Sequence, residues 1–383
     1  MKICAIICEY NPFHNGHLYH LHEAKRLSGA DAILCVMSGN FVQRGEAAIL
    51  NKYARAKHAI QAGADAVIEL PAVFATSNAE LFAKGAIHIL SSIPAVDSLC
   101  FGAENADADA FLKAAHLLNN EPEEISARIK ELTNEGLSYA KARATAWGSV
   151  LPNDLLSSPN NILGLEYTRA ILAKNANIKI LPISRMGNHY NSKQLNEQTA
   201  SATAIRNGIN ERVSVSKYVP DFVECDLPSN LQCNLEVLEK YAILSKSTEE
   251  IKGVCDCTEG LENAFKKAAL LDTSLSETLT SARYTSSRIR RIALQNLLGI
   301  DEQLIREALT TPLYLKVLAI NAIRKDLLTV LSAGTSPVII RTQDRNQLCS
   351  TAIKCMQKDD VSEQIYNLIY TQTQKEKNIF ISL

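Results

Sequence analysis

Two histidines that stand three positions apart, His14 and His17, are the side chains of this sequence best suited to chemistry. They enclose Asn15 and Gly16 and follow the short apolar run ICAIIC at residues 3–8. A stretch of helical periodicity opens at His17, so both imidazoles would face the positive end of a helix, where phosphate binds well. Gly16 has no side chain and lets a nucleotide approach the backbone closely. The segment therefore predicts a phosphate site in which each imidazole hydrogen-bonds phosphate oxygens as charge builds up in the reaction.

The elements around the histidines alternate between two periodicities over the first 190 residues. Apolar runs of strand length lie at residues 3–8, 32–37, 66–70, 98–102 and 178–184. Segments of helical periodicity lie between them, at residues 17–28, 47–62, 78–91 and 107–118. This alternation predicts an α/β fold, a Rossmann-like parallel sheet with helices on both faces. Ligands of such sheets bind beyond the carboxyl ends of the strands, which is where the two histidines would lie.

The second half of the sequence has a different character. From Ala200 onward it is mostly helical, and both IRRIALQNLLG and LYLKVLAINAIRKDLL carry apolar residues at spacings of three and four. One late run, PVIIRT at residues 337–342, could form a strand. We therefore expect a Rossmann-like domain at residues 1–210 and a mainly helical region at residues 211–383.

Composition and charge exclude several classes of protein. Of 383 residues, 46% are hydrophobic and 21% charged, which is ordinary for a globular protein. No apolar run approaches the roughly 18 residues of a membrane span, and the N-terminal apolar run is too short for a secretory signal. The ten cysteines include no CxxC pair, so we expect a reduced, cytoplasmic protein without structural zinc. The net charge of −1 indicates no particular partner, but residues 281–325 hold eight bases and three acids, which predicts a local basic face.

The HNGH segment resembles the HxGH signature of the nucleotidyltransferase superfamily, which class I aminoacyl-tRNA synthetases share. SATAIR at residues 201–206 resembles the ISSTxIR motif that closes the same kind of site. Ser201 and Thr203 would offer hydroxyls to phosphate oxygens, and Arg206 a forked cation to the β- and γ-phosphates. Ala202 stands where the motif has a second serine, so one hydroxyl is lost. The plainer alternative for His14 and His17 is that they are only polar residues at an ordinary helix start. For the second motif, it is that Ser201 caps a helix and Arg206 is a surface arginine.

Longer segments narrow the resemblance to one family. EYNPFHNGHLYHL, SGNFVQRGE (38–46), FGAEN (101–105), SSPNNILGLEY (157–167), ISRMG and SATAIR resemble the bacterial tRNA(Met) cytidine acetate ligase family in order and spacing. The resemblance is dense over residues 1–210 and continues weakly into RYTSSRIRR at residues 283–291. Proteins of this family adenylate acetate with ATP and pass the acetyl group to N4 of the wobble cytidine of elongator tRNA(Met), forming N4-acetylcytidine. The resemblance thus implies a ligase with ATP, acetate and tRNA as substrates, and Mg²⁺ that bridges the phosphates.

The resemblance also implies roles for particular residues. His14, His17 and Arg206 would be catalytic. Gly102 would let the adenosine pack against backbone, Asn160 would offer its amide to the adenine edge, and Arg185 would pair with phosphate. The full set of expected ATP-binding residues is Ile7, Cys8, Glu9, Tyr10, Asn11, Pro12, Phe13, His14, Asn15, Gly16, His17, Leu18, Tyr19, His20, Gly102, Asn160, Arg185, Ser201 and Thr203.

Two further groups carry less specific expectations. Gln43 and Arg44 could hold either acetate or a group of the tRNA, and the residues themselves do not decide between these. The basic region supplies candidates for tRNA phosphates, although charge runs are often plain solvated faces; they are Arg283, Arg288, Arg290 and Arg291. No metal ligands stand out, although Glu9 and Glu104 lie near the expected strand ends.

Two other functions remain open from the sequence. Small-molecule adenylyltransferases share HxGH and the closing Ser/Thr-Arg motif, but they rarely need a long helical region with a basic face. A nucleotide- or RNA-binding protein with a vestigial site is the other alternative, and the presence of both histidines, the glycine and the closing arginine argues against it.

Overall fold

The computed structural model describes residues 1–104, 106–148, 150–151, 153–184, 200–229, 231, 233–370 and 379–382. The strands of this part of the chain are β1 Ile3–Cys8, β2 Ala32–Ser38, β3 Phe41–Val42, β4 Glu46–Ala47, β5 Ala66–Leu70, β6 Val96–Ala103, β7 Lys179–Ser184, β8 Leu315–Asn321, β9 Val338–Ile339 and β10 Phe380–Ile381. The five strands predicted for the first 190 residues are therefore confirmed as β1, β2, β5, β6 and β7.

Helices connect and cover these strands. They are α1 Asn15–Ser28, α2 Lys52–Gln61, α3 Ala72–Ala75, α4 Ala79–Leu90, α5 Ala108–Asn119, α6 Glu123–Asn134, α7 Tyr139–Trp147, α8 Asn153–Ser157, α9 Pro159–Ala173, α10 Ala202–Asn210, α11 Asp221–Glu224, α12 Leu235–Ser245, α13 Thr248–Lys252, α14 Leu261–Ala268, α15 Leu275–Leu279, α16 Ser286–Leu298, α17 Glu302–Thr310, α18 Asp326–Ser332 and α19 Ser350–Tyr370. Two short 3-10 turns lie at Ser216–Tyr218 and Thr342–Gln347. None of the helices in the described part of the chain is long and apolar enough to cross a membrane.

The centre of the fold is a parallel sheet in the order β5-β2-β1-β6-β7. The chain adds β2 and β5 on one side of β1, then returns to add β6 and β7 on the other side. This reversal opens a crevice beyond the carboxyl ends of β1 and β6, the position where ligands of open α/β sheets bind. The Rossmann-like α/β class predicted from the sequence is confirmed.

The strands are mostly apolar because helices cover both faces of the sheet. Along β1, Ile3 and Ala5 pack into the core on one face, whereas Cys4 and Ile6 pack into the core on the other. Alternate side chains of a strand point to opposite faces, so a strand buried on both sides reads as a continuous apolar run. This explains why the short apolar runs of the first 190 residues form strands although their polarity does not alternate with a period of two.

One expectation for the second half is wrong. Residues 315–321, inside the segment with helical spacing, form β8, which pairs antiparallel with β5 and extends the main sheet. All seven residues of β8 are buried, and a strand buried on both faces lacks the alternation that distinguishes it from a buried helix. The predicted strand at residues 337–342 shrinks to β9, Val338–Ile339, beside β8.

A buried ionic cluster joins β8 and α19 to the parallel strands. The Nζ atoms of Lys52 and Lys316 each lie 2.8 Å from a carboxylate oxygen of Glu69. On the same side, Asp359 accepts hydrogen bonds from the Tyr314 hydroxyl (2.6 Å) and from the amide of residue 72 (2.7 Å). Burial and the charge of Glu69 raise the pKa of Asp359 to about 6.

The division of the chain at residue 210 stays a prediction. The region after it is mainly helical, and α12 to α16 form a small core of their own. That region also supplies β8, β9 and β10 to the main sheet.

Candidate active site

The two histidines begin the first helix, with His14 as its capping residue rather than His17 as its first residue. The Nδ1 atom of His14 accepts a hydrogen bond from the backbone N–H of Gly16 at 3.1 Å. The Nδ1 atom of His17 accepts one from the backbone N–H of His14 at 3.3 Å. This reciprocal capping satisfies two backbone donors at the helix start and fixes both rings.

The rings of His14 and His17 stack at 3.6 Å between centroids with planes 19° apart. Because both Nδ1 atoms accept hydrogen bonds from the backbone, the proton of each neutral ring resides on Nε2. The pair therefore presents two Nε2–H donors side by side at the positive end of α1, an arrangement suited to an anionic oxygen.

Both histidines line a cavity of about 610 Å³ beyond the carboxyl ends of β1 and β6. Most of the expected ATP residues line it as well: Ile7, Cys8, Glu9, Tyr10, Asn11, His14, Gly16, His17, Tyr19, His20, Gly102, Asn160, Ser201 and Thr203. Gln43, Arg44 and Arg206 are also in its wall. The structure thus brings together residues that are up to 199 positions apart in the chain.

Other expected residues lie elsewhere. Pro12, Phe13, Asn15 and Leu18 are not among the described lining residues. Phe13 is buried with its ring 4.7 Å from that of Tyr10, and the Asn15 amide donates to the carbonyl of Lys217 at 3.0 Å. The side chains of Phe13 and Asn15 thus hold the histidine loop in place. Arg185 lies outside the described residues.

The closing motif sits against the histidine loop. Arg206 on α10 donates from Nη1 to the carbonyl of Asn11 at 2.8 Å, and its Nη2 lies 3.4 Å from the Thr203 hydroxyl. Ser201 caps α10 by accepting from the backbone N–H of Ala204 at 3.1 Å. The capping alternative thus describes Ser201 correctly, yet the same residue lines the cavity.

Glu46 connects the closing arginine to the second half of the chain, a role that the sequence did not indicate. One of its carboxylate oxygens lies 3.5 Å from Nη2 of Arg206, and the other lies 3.3 Å from Nη2 of Arg290 on α16. Glu46 ends the SGNFVQRGE segment, so the resemblance pointed to the right loop but not to this residue. The Glu46 carboxylate thus pairs with two cations at the cavity wall.

The expected adenosine side of the cavity has a defined polar edge. The Asn160 amide donates to Glu104 at 2.7 Å, and the backbone N–H of Asn161 donates to the other oxygen of that carboxylate at 3.1 Å. Gly102 of β6 and Tyr167 of α9 both lie in the cavity wall. Burial and the nearby Glu9 raise the pKa of the Tyr167 phenol well above its ordinary value, so the group stays neutral.

Glu9 is the carboxyl group nearest to the end of β1 in the cavity. It accepts a hydrogen bond from the backbone N–H of Gln43 at 2.7 Å. Burial raises the pKa of Glu9, and the charges of Arg44, Arg55 and Arg206 oppose that shift only in part. Among the described residues, no group of three histidine, cysteine, aspartate or glutamate side chains could hold a metal ion.

Arg55 is a second residue that the sequence did not single out. Its guanidinium is fully buried and donates to the carbonyls of Leu50 (2.9 Å), Glu9 (2.5 Å) and Ser38 (3.1 Å) and to that of Gly39. One side chain therefore ties the ends of β1 and β2 to the loop before α2. A lone arginine in an amphipathic helix carries no local signal for such a role.

The arginines expected to contact tRNA are spread over different environments. Arg283 pairs with Glu259 at 2.8 Å and is partly exposed. Arg288 donates to the carbonyl of Asp256 at 2.7 Å. Arg290 and Arg291 line the same cavity as the histidines. The basic segment is therefore not one open face, and part of it forms the cavity wall.

Known proteins resemble this chain over nearly its whole length. The HIGH Nucleotidyl Transferase family model matches residues 1–379. The chain is 39% identical to a tRNA(Met) cytidine acetate ligase of Thermoanaerobacter sp. (strain X514), over 97% of this chain and 96% of that protein. It is 38% identical to one of Acetivibrio thermocellus, over 92% and 91% of the two chains.

Solved structures resemble the fold over nearly its whole length. A crystal structure of Thermotoga maritima TmcAL bound with alpha-thio ATP superposes with a TM-score of 0.86 at 29% identity, covering 96% of this chain and 94% of that one. The apo form of the same protein superposes with a TM-score of 0.88, also at 29% identity, covering 96% and 95%.

Proposed function

The chain belongs to the HIGH Nucleotidyl Transferase family and within it to the tRNA(Met) cytidine acetate ligases, and from this premise we propose what its site does. It is an ATP-dependent ligase that activates acetate as acetyl-adenylate and transfers the acetyl group to N4 of the wobble cytidine of elongator tRNA(Met). The observation that carries the proposal is the stacked pair of His14 and His17, which share one cavity with Arg206.

The first step joins acetate to AMP. A carboxylate oxygen of acetate attacks the α-phosphorus of ATP, the bond to the bridging oxygen breaks, and pyrophosphate leaves. The Nε2–H groups of His14 and His17 donate to α-phosphate oxygens, whose negative charge is greatest in the transition state. Arg206, fixed against the carbonyl of Asn11, binds the departing phosphates, with Ser201 and Thr203 beside it.

The second step consumes the adenylate. The exocyclic amine of cytidine attacks the activated carbonyl, a carbon–nitrogen bond forms, AMP leaves and the amine gives up one proton. No covalent bond to the protein is needed in either step, so the side chains act by positioning and by stabilising charge. For this reason the buried cysteines of β1 and β2 have no part in the proposal.

Mg²⁺ is expected to accompany ATP. The ion requires oxygen ligands and usually takes one or two carboxylates together with substrate phosphates, so the Glu9 carboxylate fits such a role better than a cage of several protein ligands. Bound there, it would neutralise part of the charge on the triphosphate. Gln43 and Arg44 remain candidates for acetate or for a group of the tRNA.

The tRNA contact is proposed to lie at the rim of the cavity that α16 borders. Arg283, Arg288 and Arg290 are the candidate phosphate ligands, because the start of α16 lies in the cavity wall and the wobble base has to reach the adenylate there. Arg291, the fourth arginine predicted to contact tRNA, is less exposed than Arg290 and is not part of this proposed contact. The proposed division of labour at residue 210 therefore has one exception, since α16 contributes to the cavity itself.

Two assays test the proposal. Pyrophosphate exchange into ATP should require acetate and should proceed without tRNA. Elongator tRNA(Met) incubated with ATP and isotopically labelled acetate should yield labelled N4-acetylcytidine by mass analysis of its nucleosides. A transcript with uridine at the wobble position lacks the N4 amine and should stay unlabelled.

The same assays discriminate the alternatives. Exchange that is supported by a different acid or by a small-molecule acceptor, with no labelled nucleoside, would indicate a cofactor-type adenylyltransferase. Nucleotide binding without any exchange would indicate a vestigial site. The tRNA(Met) ligase proposal fails in either case.

A further inference from the structure

One guanidinium in the cavity wall has a nitrogen for which the described part of the chain offers no hydrogen-bond partner. Arg291 on α16 lines the cavity, and 11% of its side chain is exposed. Its Nη2 lies 3.6 Å from a carboxylate oxygen of Asp256, but its buried Nε finds no hydrogen-bond partner among the described residues. A buried donor left without an acceptor is costly, so such a group calls for a ligand or another explanation.

The position of Arg291 is fixed from outside the cavity. Asp256 adopts a left-handed backbone conformation with φ of 65°, which aspartate tolerates better than most residues. Its carboxylate accepts hydrogen bonds from the Asn78 amide at 3.1 and 3.4 Å, and its carbonyl accepts from Arg288. Asp256 thus anchors Arg291 against the segment that leads into α4.

The cavity wall beyond Asn78 includes two apolar residues. Ala79 follows Asn78, and Phe82 lies one turn further along α4; both side chains line the cavity. The Gln43 amide donates to the carbonyl of Ser77, the residue before Asn78, at 3.3 Å. A site that combines one forked cation with a methyl-sized apolar surface suits a small carboxylic acid better than a triphosphate.

The 43–46 loop packs directly on this part of α16. A Cβ atom on Gly45 would lie 2.6 Å from the backbone of both Arg290 and Arg291, so the close approach requires glycine. Gly45 also has a φ of 73°. The loop that carries Gln43 is therefore fixed in position relative to Arg291.

We infer that Arg291 binds the carboxylate of the acid substrate, with Ala79 and Phe82 against its methyl group. The inference rests on the proposed function and specifies which residue recognises acetate. It assigns the binding of acetate to a side chain of α16 instead of to the loop candidates Gln43 and Arg44. Two N–H groups of the guanidinium fork hold one carboxylate oxygen of acetate, and the other oxygen stays available to attack the α-phosphorus.

The test is acetate-dependent pyrophosphate exchange without tRNA, with acetate and ATP varied separately. Arg291→Gln should raise the KM for acetate about 10- to 100-fold, because a charge-assisted, forked contact is lost. The KM for ATP should change less than about 2-fold. Arg291→Lys keeps the charge but not the fork, so it should give an intermediate KM for acetate.

Arg306→Gln is the matched control, because Arg306 is an exposed arginine of the neighbouring α17 whose described partner is Glu302. It should leave both constants unchanged. If Arg291→Gln fails to fold, as judged by thermal unfolding, Arg291→Lys carries the test alone.

Three results would overturn parts of this account separately. An equal rise in the KM for ATP would mean that Arg291 binds phosphate, and unchanged constants in both Arg291 variants would make the residue structural. Absence of acetate-dependent exchange in the unmodified protein would instead refute the proposed function itself.

Discussion

Gly16→Ala should disable the histidine pair without unfolding the protein. A Cβ atom on residue 16 would lie 2.9 Å from Cε1 of His14, closer than real Cβ contacts come, and 3.1 Å from its Nδ1, which is also tight. The ring would have to leave its place against the Gly16 N–H, and His17 would lose the ring that stacks on it at 3.6 Å. Displacing one donor to a developing oxyanion costs about 2.7–4 kcal/mol, so adenylate formation should slow roughly 10²–10³-fold.

The free energy of unfolding should change little in the same variant. Losing the His14 cap costs about 1 kcal/mol. Replacing glycine by alanine near the start of α1 returns up to about 1 kcal/mol of helix propensity. The two effects nearly cancel, so a loss of rate cannot come from unfolding.

The measurement is acetate-dependent pyrophosphate exchange together with thermal unfolding. Gly253→Ala is the control, because a Cβ there meets its nearest atom at an ordinary 3.4 Å and the residue lies outside the cavity. Wild-type exchange rates in Gly16→Ala would refute the idea that the position of the His14 ring matters for the chemistry.

Four further predictions address other parts of the molecule. His17→Ala should slow acetyl-adenylate formation about 10²–10³-fold while ATP binding largely survives. His22→Ala, at an exposed position of the same helix, is the control. A normal rate in the His17 variant would exclude a role of His17 in binding the α-phosphate. Arg206→Lys should raise the KM for ATP about 10-fold through loss of the fork, and an unchanged KM would place the phosphates elsewhere. Arg283→Glu should weaken tRNA binding and reduce the slope of log affinity against log salt by about one unit, whereas an unaltered slope in filter binding would mean that Arg283 touches no phosphate. Because the pKa of Asp359 is raised, the folded state binds more protons than the unfolded state between pH 3.8 and about 6, and this group's contribution to stability falls as pH rises through that window. Asp359→Asn should remove this fall when the free energy of unfolding is measured by denaturant titration at a series of pH values. An identical pH profile in both proteins would contradict the prediction.

The sequence was sufficient to predict the parallel sheet and to name residues that the fold brings to one cavity. The strands β1, β2, β5, β6 and β7 are short apolar runs separated by amphipathic helices, and this local pattern is caused directly by burial on both faces. His14, His17 and Arg206 share the cavity because the ends of parallel strands and the helices that follow them meet at one edge of the sheet.

The rest depended on contacts between distant parts of the chain. β8 was mistaken for a helix because its burial on both faces removes the period of two. The ion pairs of Glu46 join residues 46, 206 and 290, and no local pattern links those positions. The basic segment of α16 has the charge of an RNA surface, but packing against Gly45 and Asp256 turns two of its arginines toward the cavity.

The antiparallel pairing of β8 with β5 also constrains how the protein is made. During translation, β5 is complete at residue 70, but its neighbour starts only at residue 315. At synthesis rates of about 5–20 residues per second, these 245 positions take roughly 12–50 s, during which one edge of the nascent sheet has no strand beside it. The ion pair between Glu69 and Lys316, its second buried counter-charge, also cannot form until that part of the chain is synthesised. A ribosome-bound chain that already contains the HNGH segment therefore has an incomplete core. Chaperones that cover exposed strand edges should bind this intermediate until the last fifth of the chain emerges.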